Sequence, residues 1–146
     1  MKFMIIGKGS AETEAGVMPS QELVDDMIAY NESLARAGVL LAAEGLHPSS
    51  RAARIAYGKG KPKVIDGPFA ETKEIIAGFW LIQVKSREEA IEWALRVPVP
   101  EGEEGVGLEV WEVFDAADMP ETSMTPETAR RDRAVREGLE AERPDS

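Results

Sequence analysis

The chain has 146 residues and no cysteine, and its 17 Lys and Arg against 27 Asp and Glu give a formal net charge of −10. That length suits one domain with a core of its own, and the lack of cysteine excludes a disulfide framework and thiolate chemistry. The acidic balance disfavours direct nucleic-acid binding, which needs a basic face, and no stretch has the length of a membrane span.

The opening MKFMIIGKGS has a short apolar run with no small-residue cleavage site behind it. No signal peptide is expected, and the location expected is cytoplasmic. Within it, KFMII reads as a strand. Residues 7–19, with three Gly and Pro19, read as a loop. Ser20 is placed to cap a helix, because its hydroxyl can accept an orphan backbone N–H. Leu23, Met27, Tyr30 and Leu34 then recur at helical spacing, with Val24 and Ile28 widening the stripe. Gly38 ends this helix, where a left-handed cap costs glycine nothing. VLLAAEGL reads as a second strand. RAARIAY and KPKVI flank the turn Gly58-Lys59-Gly60 as a hairpin. Residues 75–84 form the most apolar strand. Ser86 and Glu89 have capping-box spacing and start a second helix, with Ala90, Ile91, Ala94 and Leu95 as its buried face and Pro98 as its stop. Residues 99–107 are a Gly/Glu loop, and LEVWEVF is the last strand.

The order is β-α-β, a hairpin, then β-α-β. It predicts an α+β fold: a ferredoxin-like protomer with an antiparallel sheet and two helices on one face. Strand 75–84 raises a difficulty. Ile75, Ala77, Phe79 and Leu81 line one face; Ile76, Trp80, Ile82 and Val84 line the other. Helices on one side cover only one of these, and each large side chain left wet forgoes about 1.5–3 kcal/mol. A second copy of the chain is the simplest cover, so a homodimer is expected. The tail is a separate regime. The domain is read as 1–118 and the charged extension as 119–146, helical from Thr125 as N-cap and Pro126 at the first helical position, with Val135 and Leu139 as its large apolar pair.

DGPFAETKE at 66–74, followed by an aromatic-rich strand, resembles the DGPF branch of the YCII-related family. AGVLLAAEGLHPSS, GFWLIQVKSREEAIEWA and LEVWEVFDAADM are similar to that branch as well, so the resemblance spans roughly residues 1–120; TPETARR in the tail fits it too. The resemblance implies a dimeric α+β barrel built from ferredoxin-like protomers. It also implies a small enzyme with a His–Asp pair, or an accessory role in a regulatory system, because many such proteins are encoded near sigma factors of the extracytoplasmic-function type. The wider family's histidine lies on the first helix, but residues 21–37 contain none. The chain's one histidine is His47, in the EGLHPSS stretch. The branch also tends to carry Arg in the last strand, near where this chain has Trp111.

Candidate chemistry centres on His47, whose unperturbed pKa lies near neutrality. It is either a general base or a loop histidine bonded to backbone. Asp66 either accepts N–H groups of its own turn or partners His47 in acid–base work. Ser49, Arg51, Phe69, Lys73 and Trp80 are candidate ligand contacts. For Lys73 the alternative is a local ion pair with Glu71 or Glu74; for Phe69 and Trp80 it is a place in the core or dimer interface. Neither Ser49 nor Ser50 sits in a G-x-S-x-G elbow, and GKGS at 7–10 lacks the phosphate-loop ending. One His and scattered carboxylates predict no metal site. The reading is a homodimer with a cavity between sheet and helices for a small-molecule ligand, no cofactor, no direct nucleic acid and no membrane. Its function is either acid–base catalysis through His47 and Asp66 or non-catalytic binding.

Overall fold

The computed structural model describes residues 1–142. In chain order its elements are β1 (Lys2–Lys8), α1 (Ala11–Glu14), α2 (Gln21–Arg36), β2 (Leu40–Gly45), β3 (Ala53–Ala56), β4 (Lys63–Asp66), β5 (Ile76–Gln83), α3 (Arg87–Ala94), β6 (Leu108–Glu112) and α4 (Pro126–Ala141). Four strands form an antiparallel sheet in the order β2-β5-β1-β6, and β3 and β4 form a separate two-stranded sheet. Crossing from β1 to β2 through α2, and from β5 to β6 through α3, gives the split β-α-β arrangement. Residues Met1–Val113 form one compact unit, and a second begins at Phe114.

Local rules set most boundaries. The Ser20 hydroxyl accepts the Leu23 N–H at 3.2 Å and starts α2; Gly38, at φ +72°, ends it. Ser86 caps α3 through the Glu89 N–H, but the Glu89 carboxylate reaches back one residue further than a capping box requires, to the Lys85 N–H at 2.9 Å. In the second unit Thr125 caps α4 through the Thr128 N–H, with Pro126 as its first residue. The extension expected over 119–146 is thus helical across 126–141, and residues 143–146 lie outside the described ones. Residues 7–19, expected as plain loop, contain the single helical turn α1. Ser10 and Thr13 cap it reciprocally.

The core lies between the sheet and α2 and α3. Phe3, Ile5, Leu34 and Ile82 are fully buried, and Tyr30, Val39, Val84, Ala90, Ala94 and Val97 complete the cluster. Tyr30 donates its hydroxyl to the Trp93 carbonyl at 2.9 Å and meets the Trp80 ring edge-on at 5.5 Å. Burial pushes the Tyr30 phenol up to about 12, against the pull of Arg96. The buried stripe of α2 is narrower than its sequence suggests: Val24 and Ile28 are exposed. Leu95, expected inside, is 81% exposed because α3 ends one residue before it and the chain turns away.

The pleat divides the sheet cleanly. Phe3 and Ile5 face the helices, so Met4 and Ile6 face away. Register places Leu81 and Trp111 beside Met4, and Phe79 and Glu109 beside Ile6. Trp80, Ile82 and Val84 belong to the helix side. The outer face therefore carries Met4, Ile6, Phe79, Leu81 and Trp111, the last 58% exposed.

Candidate ligand-binding site

Between β2 and β5 the chain leaves the sheet, forms the β3–β4 hairpin and returns. Two quoted stretches, HPSSR and DGPF, meet on this excursion. Ser49–Arg51 form one 3₁₀ turn, and the Gly67 N–H donates to the Ala52 carbonyl at 2.9 Å. The Phe69 N–H donates to the Ser49 hydroxyl, also at 2.9 Å. The approach is so close that a Cβ built on Gly67 would lie 1.8 Å from the Ser49 carbonyl oxygen. Gly67 does not have a positive φ, and the Gly67–Pro68 bond is cis. The glycine is needed here for backbone proximity.

A third segment joins them. Glu14, the last residue of α1, accepts the Ser49 N–H at 2.8 Å and the Ser49 hydroxyl at 2.5 Å. Ser49 is buried, and its hydroxyl is engaged within the fold both as donor to Glu14 and as acceptor from Phe69. These two bonds, the hydroxyl first and the backbone N–H second, hold the Glu14 carboxyl below its ordinary value of 4.5. The stability it supplies is complete above the unfolded-state pKa and is lost as pH falls through the lower folded value. Glu14→Gln is therefore expected to melt earlier than the parent at pH 7, with the gap closing as the buffer is taken below about pH 4. Thermal melts across pH 3–7 check this; a gap that does not depend on pH would mean the carboxylate charge contributes nothing.

His47 is exposed, and its Nε2 lies 2.9 Å from Arg51 Nη1. A guanidinium only donates, so Nε2 is the acceptor and the ring proton sits on Nδ1. The Arg54 guanidinium lies 3.9 Å over the Phe69 ring centroid and pairs with Glu74 at 3.2 Å. Trp80 donates its indole N–H to Asn31 Oδ1 at 2.7 Å, which leaves the Asn31 amide N–H groups facing outward from that bond.

Two hollows flank His47. A smaller one, about 470 Å³, is lined by His47, Ser49, Arg51, Arg54, Phe69 and Glu74, among others. The larger, about 700 Å³, runs between the sheet end and α2, with Met27, Asn31 and Trp80 on one side and His47, Val97 and Met18 among its other walls. Leu46, His47 and Pro48 line both. Of the residues singled out from sequence, His47, Ser49, Arg51 and Phe69 thus come together, and Trp80 lines the larger cleft. Asp66 and Lys73 line neither. Asp66 ends β4, exposed, and its carboxylate takes no hydrogen bond among the described residues; Ser49 and Ala52 hold the turn. Lys73 is exposed and forms no ion pair among them. Glu14 and Asn31 were not legible as site residues. Each acts through a partner distant in sequence, and no local spacing marks it. Among the described residues no group of three His, Asp or Glu could hold a metal ion, and no helix is long and apolar enough to cross a membrane.

A helix-covered antiparallel sheet with a ligand-sized cleft at its strand ends defines a small α+β protein of the split β-α-β class. Residues 1–117 match the YCII-related domain, and the chain belongs to the YCII-related family. Over 74 residues, 51% of this chain, it is 38% identical to an uncharacterized protein of Rhizobium meliloti (strain 1021), and the match spans 60% of that relative's length. Among solved structures, 5-chloro-2-hydroxyhydroquinone dehydrochlorinase from Burkholderia phenoliruptrix AC1100, in complex with 2,5-dihydroxybenzoquinone, covers 82% of this chain and 100% of its own. That likeness has 13% identity and a TM-score of 0.46.

Proposed function

We propose that the chain is a small-molecule-binding homodimer of the DGPF branch, with the cleft beneath α2 as its binding site. One observation carries this reading. Asn31 and His47 both line a cleft whose other walls are largely apolar, and each is fixed by a partner, Trp80 and Arg51, that leaves it with N–H groups to offer. Such a cleft suits a compact apolar molecule bearing oxygen acceptors, because a few placed donors on apolar walls set orientation.

The geometry supports binding over proton abstraction. A general base needs a free lone pair. Nε2 of His47 is engaged by Arg51 at 2.9 Å. Asp66 lies outside the cleft lining, so its pairing with His47 has no geometric support. The branch's association with sigma factors fits an accessory role in which the molecule is sensed rather than consumed.

The test uses NMR of the chain's single histidine ring and of the Trp80 indole, against a panel of small phenols, ketones and carboxylic acids. Expected is a compound that shifts both signals, with Asn31→Ala weakening its binding and Asp66→Asn leaving it unchanged. A panel in which no compound moves both signals would overturn the reading.

A further inference from the structure

Charge is segregated along this chain. Between Gly45 and Ile65 stand Arg51, Arg54, Lys59, Lys61 and Lys63, and every one of the chain's 27 carboxylates lies elsewhere. This segment includes the β3–β4 hairpin, whose tip reads Tyr57-Gly58-Lys59-Gly60-Lys61-Pro62-Lys63. The tip is exposed throughout. Tyr57 is 85% and Val64 67% exposed. A two-stranded hairpin with its apolar residues in water is marginal by itself.

A second exposed turn mirrors it. Residues 99–106 read Val99-Pro100-Glu101-Gly102-Glu103-Glu104-Gly105-Val106, with Val99 and Val106 mostly exposed. Three lysines in a glycine-containing tip with apolar flanks thus face an inventory of three glutamates in another. No ion pair joins the two among the described residues. The ion pairs among the described residues are Lys8–Glu109, Arg54–Glu74 and Arg136–Asp132, and neither tip takes part.

We propose that the lysine tip of one protomer docks on the glutamate turn of a second copy, and that under two-fold symmetry the contact is made twice. Pairing of one hairpin with another is disfavoured, because it would oppose two clusters of like charge. Nucleic acid is disfavoured by the chain's net charge of −10. The acidic turn of a second copy has complementary charge, and its valines offer Tyr57 and Val64 apolar surface. This contact is distinct from the outer sheet face invoked for the homodimer.

The experiment is charge reversal with rescue. One variant carries Lys59→Glu, Lys61→Glu and Lys63→Glu; the other carries Glu101→Lys, Glu103→Lys and Glu104→Lys. Self-association is read by sedimentation velocity in the Trp111→Glu background, so that loss of the sheet contact is measured separately. Each reversal is expected to weaken self-association by about ten-fold or more at low salt, and added salt should weaken the parent in the same direction. Mixing the two reversed proteins in equal amounts should restore it as a mixed pair, because one then offers acid at both tip and turn and the other offers base at both. The chain carrying all six substitutions should restore it, with both signs exchanged. Unchanged association in either reversed variant, or no recovery in the six-fold variant while it melts like the parent, would overturn the proposal. So would retained association of the glutamate-turn variant together with binding of the lysine-tip parent to an acidic peptide or to duplex DNA.

Discussion

Gly67→Ala is expected to lower the melting temperature by about 10 °C. The added methyl would lie 1.8 Å from the Ser49 carbonyl oxygen and 2.8 Å from its carbon, which are backbone atoms and cannot rotate aside. Relief requires the DGPF turn to lift off the HPSSR turn. That breaks the Gly67–Ala52 and Phe69–Ser49 hydrogen bonds together. Overpacking of this kind costs about 3 kcal/mol where the neighbour cannot yield. Lys73→Ala, four residues past the turn at an exposed position with no ion pair among the described residues, is expected to change stability by less than about 0.5 kcal/mol. Thermal melts of the two variants decide the matter; a larger loss from Lys73→Ala would place its charge in a buried pair.

Trp111→Glu is expected to abolish the proposed sheet-to-sheet contact while leaving the protomer folded, so that the association that remains is the salt-sensitive one between the charged turns. Trp111 stands on the face opposite the helices, in register with Met4 and Leu81, and 58% of it is exposed. In the monomer that apolar area faces water; in a sheet-to-sheet dimer the partner would cover it, and buried aromatic anchors carry much of the binding energy. A buried glutamate there would lack a partner. Light scattering gives the mass and circular dichroism the fold. A parent that already runs as a monomer at micromolar concentration would remove the sheet dimer altogether.

Much of the architecture was legible because its causes are local. Ser20, Ser86 and Thr125 each bond a backbone N–H three residues on, Gly38 takes the left-handed conformation, and the short apolar run along 76–82 marks a strand whichever way it faces. What escaped depends on distance in the chain. Glu14 meets Ser49 from 35 positions away in the chain, and nothing in AETE distinguishes it from Glu12. The exposure of Leu95 and Ile28 reflects where neighbouring elements stop, which periodicity does not encode. The DGPF corner is set by a contact that its own four residues do not encode: Gly67 has no positive φ and instead passes against the backbone of Ser49, in a segment read separately.

The excursion from the sheet has a consequence for how this protein can change. It begins and ends at one neck, closed by the Leu46 N–H bonded to the Ala77 carbonyl at 2.8 Å beside the paired strands β2 and β5. His47, Ser49, Arg51, Arg54, Phe69 and Glu74 all lie beyond that neck, whereas every fully buried side chain lies on the sheet and helices before or after it. The inserted segment is thus a cassette. Its length and contents can drift with little effect on the four-stranded body, since a longer surface loop adds closure entropy only slowly. Related chains can keep one scaffold and exchange the wall of the smaller hollow, provided each keeps glycine where Gly67 passes Ser49.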